Sequence, residues 1–254
     1  MLGGCGAWPE PGRACSGFLL EHDGFRVVLD LGYGTLPRLL AALDSTFADG
    51  LDAVVVSHAH PDHMVDVHGL FRARWFGRRG AARLPLFAPR QVLHRLRALE
   101  EEEGGDAALA RVFQWQTLPA PAYAIGPFTL HSVELPHFVT NVGVRLGAAD
   151  LAVAYTGDTG PDPALADLGR DADLFIVEAT DRAQRPGTPP APEGPLRHLT
   201  ARQAGDVAAR AGARRLLLTH FWPGNDRERS RAEARQRYDG EVLIADEGRQ
   251  IDLP

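Results

Sequence analysis

One short segment of the chain constrains its fold and its chemistry more than any other. The residues from His58 to His63 read His-Ala-His-Pro-Asp-His, so three imidazoles and one carboxylate occur within six positions. They directly follow the apolar run 52–57, which predicts a short buried strand. A strand that delivers such side chains to its C-terminal end holds them rigidly, and His58 and His60 can point to one side and share a metal ion. Asp62 and His63 then face a second position for a divalent ion.

Composition and charge limit the classes of function open to the chain. All 27 basic residues are arginine, which excludes a Schiff-base lysine and the lysine of a phosphate-binding P-loop. The formal net charge of -6 disfavours a protein that coats nucleic acid through bulk charge. With 254 residues and 44% hydrophobic content the chain can bury a large core, and we expect a single domain over residues 1–254.

Cysteine usage and the beginning of the sequence predict a cytoplasmic protein. The two cysteines, Cys5 and Cys15, are too far apart for a Cys-x-x-Cys pair, which favours a reducing compartment. The first residues contain neither the basic nor the apolar segment of a secretory signal, and no apolar run approaches the length of a membrane span. We therefore expect no membrane partner.

Apolar runs and turn residues alternate in a way that predicts both strands and helices. The predicted strands are 18–21, 25–29, 52–57, 84–88, 128–135, 142–146, 151–155, 174–177, 216–219, 241–245 and 249–253, and the predicted helices are 36–43, 64–76, 91–103, 200–211 and 227–237. The acidic run 100–103 is expected to be a solvated helix end, and the proline-rich segment 182–195 a flap over a site. This order of elements predicts an α/β fold, a four-layer αββα sandwich in which two mixed β-sheets are flanked by helices.

Three more residues at the ends of predicted strands complete the donor set of a two-metal site. His137 follows the strand 128–135 closely, and His220 comes directly after the strand 216–219. Asp158 follows Gly157, where glycine lets the backbone turn sharply, and each oxygen of its carboxylate can bind one of two cations that otherwise repel each other. The predicted ligands are His58, His60 and His137 on the first metal, Asp62, His63 and His220 on the second, and Asp158 between them.

The donor set predicts two divalent ions and hydrolytic chemistry. Nitrogen-rich ligation favours zinc, and manganese and iron remain open. Two such ions lower the pKa of a water held between them, so the bridging hydroxide is a nucleophile at neutral pH. A scaffold that retains the ligands without turnover is the alternative from another class of function.

The segment His58–His63, with His137, Asp158 and His220 in this order, resembles the metallo-β-lactamase superfamily. Two further segments, Glu178-Ala179-Thr180 and His198-Leu199-Thr200, are similar to the ribonuclease Z type of this fold. In that family a Glu-Ala-Thr segment and a His-x-Thr histidine flank the site. The resemblance implies that His198 stabilises charge on a phosphate and protonates the leaving oxygen, that Glu178 orients His198 and raises its pKa, and that Asp62 belongs to the catalytic set. It also implies a homodimer, since relatives commonly form one.

The chain departs from ribonuclease Z in lacking a long basic arm that grips transfer RNA. Its densest basic stretch, 72–83, is expected to lie mainly on a solvated helix face. This favours a compact phosphodiesterase that resembles bacterial cyclic-nucleotide phosphodiesterases and acts on small phosphodiesters or cyclic nucleotides, with RNA a less favoured substrate and DNA no partner. The alternatives are a tRNA 3′-processing endonuclease and a thioesterase or lactonase of the same fold. Phe138, Phe221 and Trp222 adjoin predicted ligands and could stack on a nucleobase.

Overall fold

The computed structural model describes residues 1–77, 82–100, 104–149, 151–184, 187 and 194–253. Within these ranges the strands are β1 (Phe18–His22), β2 (Phe25–Leu29), β3 (Ala53–Val55), β4 (Leu84–Ala88), β5 (Phe113–Thr117), β6 (Tyr123–Ile125), β7 (Phe128–Leu135), β8 (Asn141–Ala148), β9 (Leu151–Tyr155), β10 (Leu174–Glu178), β11 (Arg215–Thr219) and β12 (Glu241–Ile244). The α-helices are α1 (Thr35–Ala42), α2 (Pro61–Gly77), α3 (Arg90–Leu99), α4 (Asp106–Val112), α5 (Ala164–Leu168), α6 (Ala201–Ala211) and α7 (Arg227–Arg235).

The described strands form two mixed β-sheets. The first sheet has the order β1-β2-β3-β4-β5, in which β1 and β2 pair antiparallel and the other neighbours pair parallel. The second sheet has the order β12-β11-β10-β9-β8-β7-β6, with parallel pairs from β9 to β12 and antiparallel pairs from β6 to β9. Both sheets therefore carry parallel strands whose carboxyl ends can present side chains at one edge.

Three groups of buried apolar side chains hold the layers together. Residues of α1 to α4 pack on the outer face of the first sheet, as Leu39, Phe71 and Leu96 illustrate. Residues of α5 to α7 pack on the outer face of the second sheet. The third group, which includes Val55 and Ile176, lies between the two sheets. This αββα arrangement of two mixed sheets flanked by helices confirms the predicted fold class.

Strand direction explains why residues far apart in sequence meet. The His58–His63 cluster follows β3 and runs into the first turn of α2. Asp158, Glu178 and His220 come at or just after the ends of β9, β10 and β11. Strands β7 and β9 each pair antiparallel with β8, so β7 runs in the same direction as β9. The side chain of His137, which follows β7, therefore reaches the same edge.

Several local predictions differ from the structure. Glu100, expected on a solvated helix end, follows α3 and is buried, because its carboxylate pairs with His68 and Arg72 of α2. The residues 101–103 of that run lie outside the described residues. The predicted strand 249–253 is irregular, and α4, β5, β6 and α5 are elements that the sequence pattern did not predict. Of the predicted flap, Arg182–Gln184 forms a short 3₁₀ helix, and most of the rest lies outside the described residues.

Among the described residues, no helix combines the length and the apolar character needed to cross a membrane.

Candidate metal centre

The structure brings the predicted ligands together in two groups at the edge of the sheets. All the ligand atoms within each group lie within 4.8 Å of one another. The first group is His58, His60, His137 and Asp158, and the second is Asp62, His63, Asp158 and His220. His60 lies partly open and the other six side chains are buried, so each group is a nearly dry pocket of nitrogen and oxygen donors.

The spacing of the donor atoms fits metal ions. In the first group, Nδ1 of His60 lies 3.1 Å from Nε2 of His58 and 3.1 Å from Nε2 of His137. In the second, Nε2 of His220 lies 3.1 Å from Oδ2 of Asp62. Donors about 2.0–2.2 Å from a tetrahedral zinc ion are about 3.4 Å apart, so the observed separations are close to those expected around a shared ion.

Asp158 stands between the two groups. Its Oδ2 atom lies 3.9 Å from Nε2 of His58, 3.8 Å from Nε2 of His137 and 3.1 Å from Nε2 of His220. Its Oδ1 atom lies 3.2 Å from Nε2 of His63. Gly157, at φ 57°, supplies the predicted sharp turn before Asp158, where a Cβ would lie 2.2 Å from Oδ1 of Asn141.

Two buried polar atoms at this point have no hydrogen-bond partner. They are Nε2 of His63 and Oδ1 of Asp158, which face each other in the second group. A buried polar atom without a partner costs free energy, and a divalent ion between the two would satisfy both. The residues present therefore fit a pair of divalent ions.

The pKa shifts of the site show that its buried carboxylate favours a positive charge beside it. Burial lowers the pKa of His58 and His60, and it lowers the pKa of His137 to about 4, so these imidazoles stay neutral. Burial alone would raise the pKa of Asp158, but His220 and His63 hold it well below its ordinary value. Burial likewise opposes the charged form of His63, yet Asp158 raises the pKa of His63 well above its ordinary value. A metal ion would replace that proton.

A buried carboxylate that the sequence analysis did not single out orients His63. Oδ2 of Asp30 lies 2.7 Å from Nδ1 of His63 and accepts a hydrogen bond from the hydroxyl of Tyr155 at 2.7 Å. Its Oδ1 accepts from the backbone N–H of Ser57 at 2.7 Å. Such a partner fixes which nitrogen of a histidine faces the metal. The Asp30-Leu31-Gly32 sequence after β2 was the available signal, but a single aspartate after a strand is too common to identify this role.

The N-terminal loop forms one wall of the second group. The backbone N–H of Ala7 donates to Oδ2 of Asp62 at 2.7 Å. Gly6 packs on the ring of His220, because a Cβ at Gly6 would lie 2.6 Å from its Cε1 and 2.7 Å from its Nδ1. Ala7 has a φ of 59° and His220 a φ of 55°, a conformation that non-glycine residues adopt at a cost. The close packing holds both residues in place.

His198 and Glu178 lie beside the two groups as the resemblance implied. Nδ1 of His198 is 3.2 Å from each carboxylate oxygen of Glu178 and 4.0 Å from Oδ2 of Asp158. The His198 ring stacks on that of His220 at 5.7 Å. Burial opposes the charged imidazolium, but Glu178 more than compensates and raises the pKa of His198 to about 9. His198 therefore carries a proton at neutral pH.

The hydroxyl of Thr180 joins this pair to a candidate metal ligand. Oγ1 of Thr180 donates to Oε2 of Glu178, since an ionised carboxylate only accepts. A hydroxyl has one hydrogen, so at its 2.9 Å contact with His220 the Thr180 oxygen accepts from Nδ1–H. With an ion bound, that tautomer would leave the lone pair of Nε2 of His220 free to bind the ion on the side where Asp62 and Asp158 lie. Thr180 was part of the quoted Glu-Ala-Thr segment, but nothing in the sequence assigned it this contact.

Of the aromatic residues considered as stacking platforms, Phe221 is buried, where its ring packs under the Arg227 guanidinium. Phe138 is exposed, and Trp222 is partly exposed and contacts Trp8, a residue that the sequence analysis missed.

Comparison with known proteins gives concordant matches. A family model described as a beta-lactamase superfamily domain matches residues 25–221. The chain is 30% identical over 251 residues to “Probable metallo-hydrolase YhfI” of Bacillus subtilis, with 98% of this chain and 96% of that protein covered. It is 29% identical over 312 residues to a ribonuclease Z of Halorubrum lacusprofundi, with 100% of this chain and 96% of that protein covered.

Solved structures show the same similarity. The crystal structure of YhfI from Bacillus subtilis superposes with a TM-score of 0.82 at 28% identity, covering 98% of this chain and 95% of that one. The human short-form tRNase Z superposes with a TM-score of 0.75 at 22% identity, covering 100% and 98%. A diphosphatase of the PhnP family superposes at 0.68 and 19% identity, covering 95% and 86%. At their lower identities the last two share the fold alone with this chain.

Proposed function

The chain belongs to the beta-lactamase superfamily and is a metallo-hydrolase of that fold, and from this premise we propose that it is a two-metal phosphodiesterase. Its substrates are small phosphodiesters, with cyclic nucleotides among the candidates. The metals are two divalent ions, and zinc is favoured because five of the seven candidate ligands are histidines. The names of two sequence relatives, a metallo-hydrolase and a ribonuclease, support hydrolysis, and the second supports hydrolysis at phosphorus.

The observation that carries the proposal is the His198–Glu178 pair beside the two ligand groups, in which Nδ1 of His198 lies 3.2 Å from each carboxylate oxygen. Hydrolysis of an alkyl phosphodiester expels an alkoxide, which leaves far more easily as an alcohol, so a proton donor at the leaving oxygen accelerates the reaction. The buried carboxylate of Glu178 keeps His198 protonated and fixes its ring through Nδ1. Nε2 of His198 then carries the proton that the leaving oxygen receives.

The remaining residues bind and orient. When bound, two divalent ions supply a water-derived nucleophile at neutral pH and polarise the phosphoryl oxygens. Asp62 accepts the Ala7 N–H through the same oxygen that faces His220, so the N-terminal loop fixes the orientation of that carboxylate. Asp30 does the same for His63. Burial of the donors keeps bulk water from competing for them.

The formal charge of -6 supports a small substrate, because a long polyanion such as transfer RNA is attracted by clustered positive charge. A thioesterase is the main rival within the fold. Expulsion of a thiolate needs little help from a proton donor, so the pairing of His198 with the buried Glu178 favours the phosphodiester.

The test is a substrate panel with a matched variant. Purified protein loaded with zinc or manganese is assayed on bis(p-nitrophenyl) phosphate, cyclic nucleotides, dinucleotides, a precursor tRNA, lactones and thioesters. We expect phosphodiester hydrolysis, and a loss of about 10²-fold or more in kcat on alkyl diesters for His198→Ala with metal content retained. Turnover of thioesters or lactones alone would contradict the proposal, and no turnover of any substrate would favour the scaffold.

A further inference from the structure

Exposed apolar residues adjoin the residues of the metal centre. Six large apolar side chains are exposed among the described residues, and Trp8, Phe138 and Leu196 among them lie within two residues of groups that build the centre. Their neighbours are the N–H of Ala7 that binds Asp62, the candidate ligand His137, and His198. Single exposed apolar residues are ordinary on a protein surface, but a group of them around a polar cleft is typical of a ligand-binding surface.

Phe138 lies beside the proton donor. Its side chain is 52% exposed, and its ring centroid is 5.2 Å from that of His137 and 6.0 Å from that of His198. In the proposed function His198 faces the leaving oxygen, so the group attached to that oxygen lies next to His198. A planar leaving group would therefore meet the exposed Phe138 ring.

Trp8 lies beside the second ligand group. It is 44% exposed, and its ring meets that of Trp222 edge-on at 5.1 Å. Ala7, which precedes Trp8, binds Asp62, and Trp222 comes two residues after His220. The guanidinium of Arg182 lies 4.6 Å above the Trp222 ring and helps to hold that ring in place. Trp222 in turn supports the Trp8 ring, which remains exposed. An exposed aromatic residue thus directly follows His137 of the first ligand group, and another directly follows Ala7, which binds Asp62 of the second.

Resting on the proposed phosphodiesterase activity, we propose that Phe138 and Trp8 are platforms for two nucleobases of one substrate. The substrate class is a short linear phosphodiester between two nucleosides. The leaving nucleoside stacks on Phe138 and the retained nucleotide stacks on Trp8. Water forms the new bond to phosphorus, the bond to the leaving oxygen breaks, and that oxygen takes the proton from His198. A proton released by the water restores His198, so the products are one nucleoside and one nucleoside monophosphate.

Base stacking on an exposed aromatic ring gives a measurable effect. Stacking of one base is worth roughly tenfold in binding, within a range of about fivefold to 150-fold. Because both rings are exposed, their removal leaves the core intact, and alanine variants are expected to fold. Phe76, which is 59% exposed at the far end of α2, offers a matched control.

The experiment compares each ring with each base. The metal-loaded wild type, Phe138→Ala, Trp8→Ala and Phe76→Ala are assayed on the dinucleotide ApA and on two analogues in which one base or the other is replaced by hydrogen. We expect the wild type and Phe76→Ala to prefer ApA over each abasic analogue by about tenfold in kcat/KM. Phe138→Ala should lose only the preference for the leaving base, and Trp8→Ala only the preference for the retained base, with product analysis identifying the nucleoside released.

The outcomes separate this inference from the activity on which it rests. Equal rates on ApA and the abasic analogues, with bis(p-nitrophenyl) phosphate hydrolysed, would overturn the platforms and keep the phosphodiesterase. A strong preference for 3′,5′-cyclic AMP over ApA, with sensitivity to one ring only, would also overturn the two-base substrate. Failure to hydrolyse any phosphodiester would remove the proposed function itself.

Discussion

Nδ1 of His198 lies 3.2 Å from both carboxylate oxygens of Glu178, a residue with no exposed surface. Because Glu178 is fully buried, water cannot replace His198 as its partner. The negative charge of Glu178 therefore controls the protonation of His198. The pair belongs to β10 and to the segment before α6, and the two residues are 20 positions apart.

The alkaline limb of the pH–rate profile should report this pair. His198 has a pKa raised to about 9, so it carries its proton below that pH and loses it above. With an alkyl diester as substrate we expect kcat to fall as pH rises through about 9. In Glu178→Gln the raising charge is absent, so the limb should move down toward the ordinary value of about 6.5. The exposed Glu134→Gln is the control, and an unmoved limb in Glu178→Gln would dissociate the two residues.

Removal of the Thr180 hydroxyl should weaken one metal site. In Thr180→Val nothing accepts from Nδ1–H of His220, so the tautomer that directs Nε2 at the metal is no longer favoured. Loss of such an outer hydrogen bond typically costs 10–100-fold in metal affinity. We expect Thr180→Val to retain one tightly bound ion and Thr180→Ser to retain two, as measured by chelator competition and elemental analysis. Equal affinities in all three proteins would contradict the hydrogen-bond assignment.

Gly6→Ala should displace His220. The added Cβ would lie 2.6 Å from the imidazole ring, which is too close for any carbon contact. We expect weaker binding of the second ion and a matching loss of kcat. Gly147→Ala in β8, whose Cβ would meet nothing within 4 Å, is the control. Isothermal titration with zinc compares the two, and normal binding by Gly6→Ala would show that the loop shifts instead.

Asp158 should matter to both ions and His60 to one. Asp158 contributes to both ligand groups, whereas His60 belongs to the first only. We expect Asp158→Ala to bind fewer ions than His60→Ala, and the exposed His94→Ala to bind as the wild type does. Chelation should abolish activity in every case and lower the Tm, because an ion that binds the folded chain stabilises it. The same loss in Asp158→Ala and His60→Ala would argue against a shared carboxylate.

Asp181 should make stability depend on pH. Burial raises its pKa to about 6, although the backbone N–H of Ala201 donates to Oδ2 at 2.8 Å. A carboxyl whose pKa is raised on folding contributes most to the stability of the folded state below about pH 4. That contribution to stability is lost as the pH rises through about 6. We expect the free energy of unfolding of Asp181→Asn, relative to that of the wild type, to rise by on the order of 1–3 kcal/mol as the pH goes from 4 to 8. Urea unfolding of the metal-free proteins measures the gain, and a difference that does not vary with pH would exclude the effect.

The sequence predicted the donor set because its signals are local: a cluster of ligand residues after a strand, a glycine before Asp158, and histidines at strand ends. Long-range contacts left no such signal. The roles of Asp30, Ala7 and Thr180 depend on which strand ends adjoin, and the burial of Phe221 on what packs above it. Glu100 was misplaced for the same reason, since only α2 supplies its cationic partners. The strand predicted at 249–253 failed because apolar content alone does not create a pairing partner.

The second ligand group joins the loop before β1 to the residue after β11, with Ala7 bonded to Asp62 and Gly6 packed on His220. A ribosome adds residues in order, so the loop around Gly6 and the His58–His63 cluster leave the exit tunnel well before His220 does. A nascent chain therefore lacks a donor of the second ion until His220 has emerged. A polypeptide released before that point would bind at most one ion, and we expect it to be inactive.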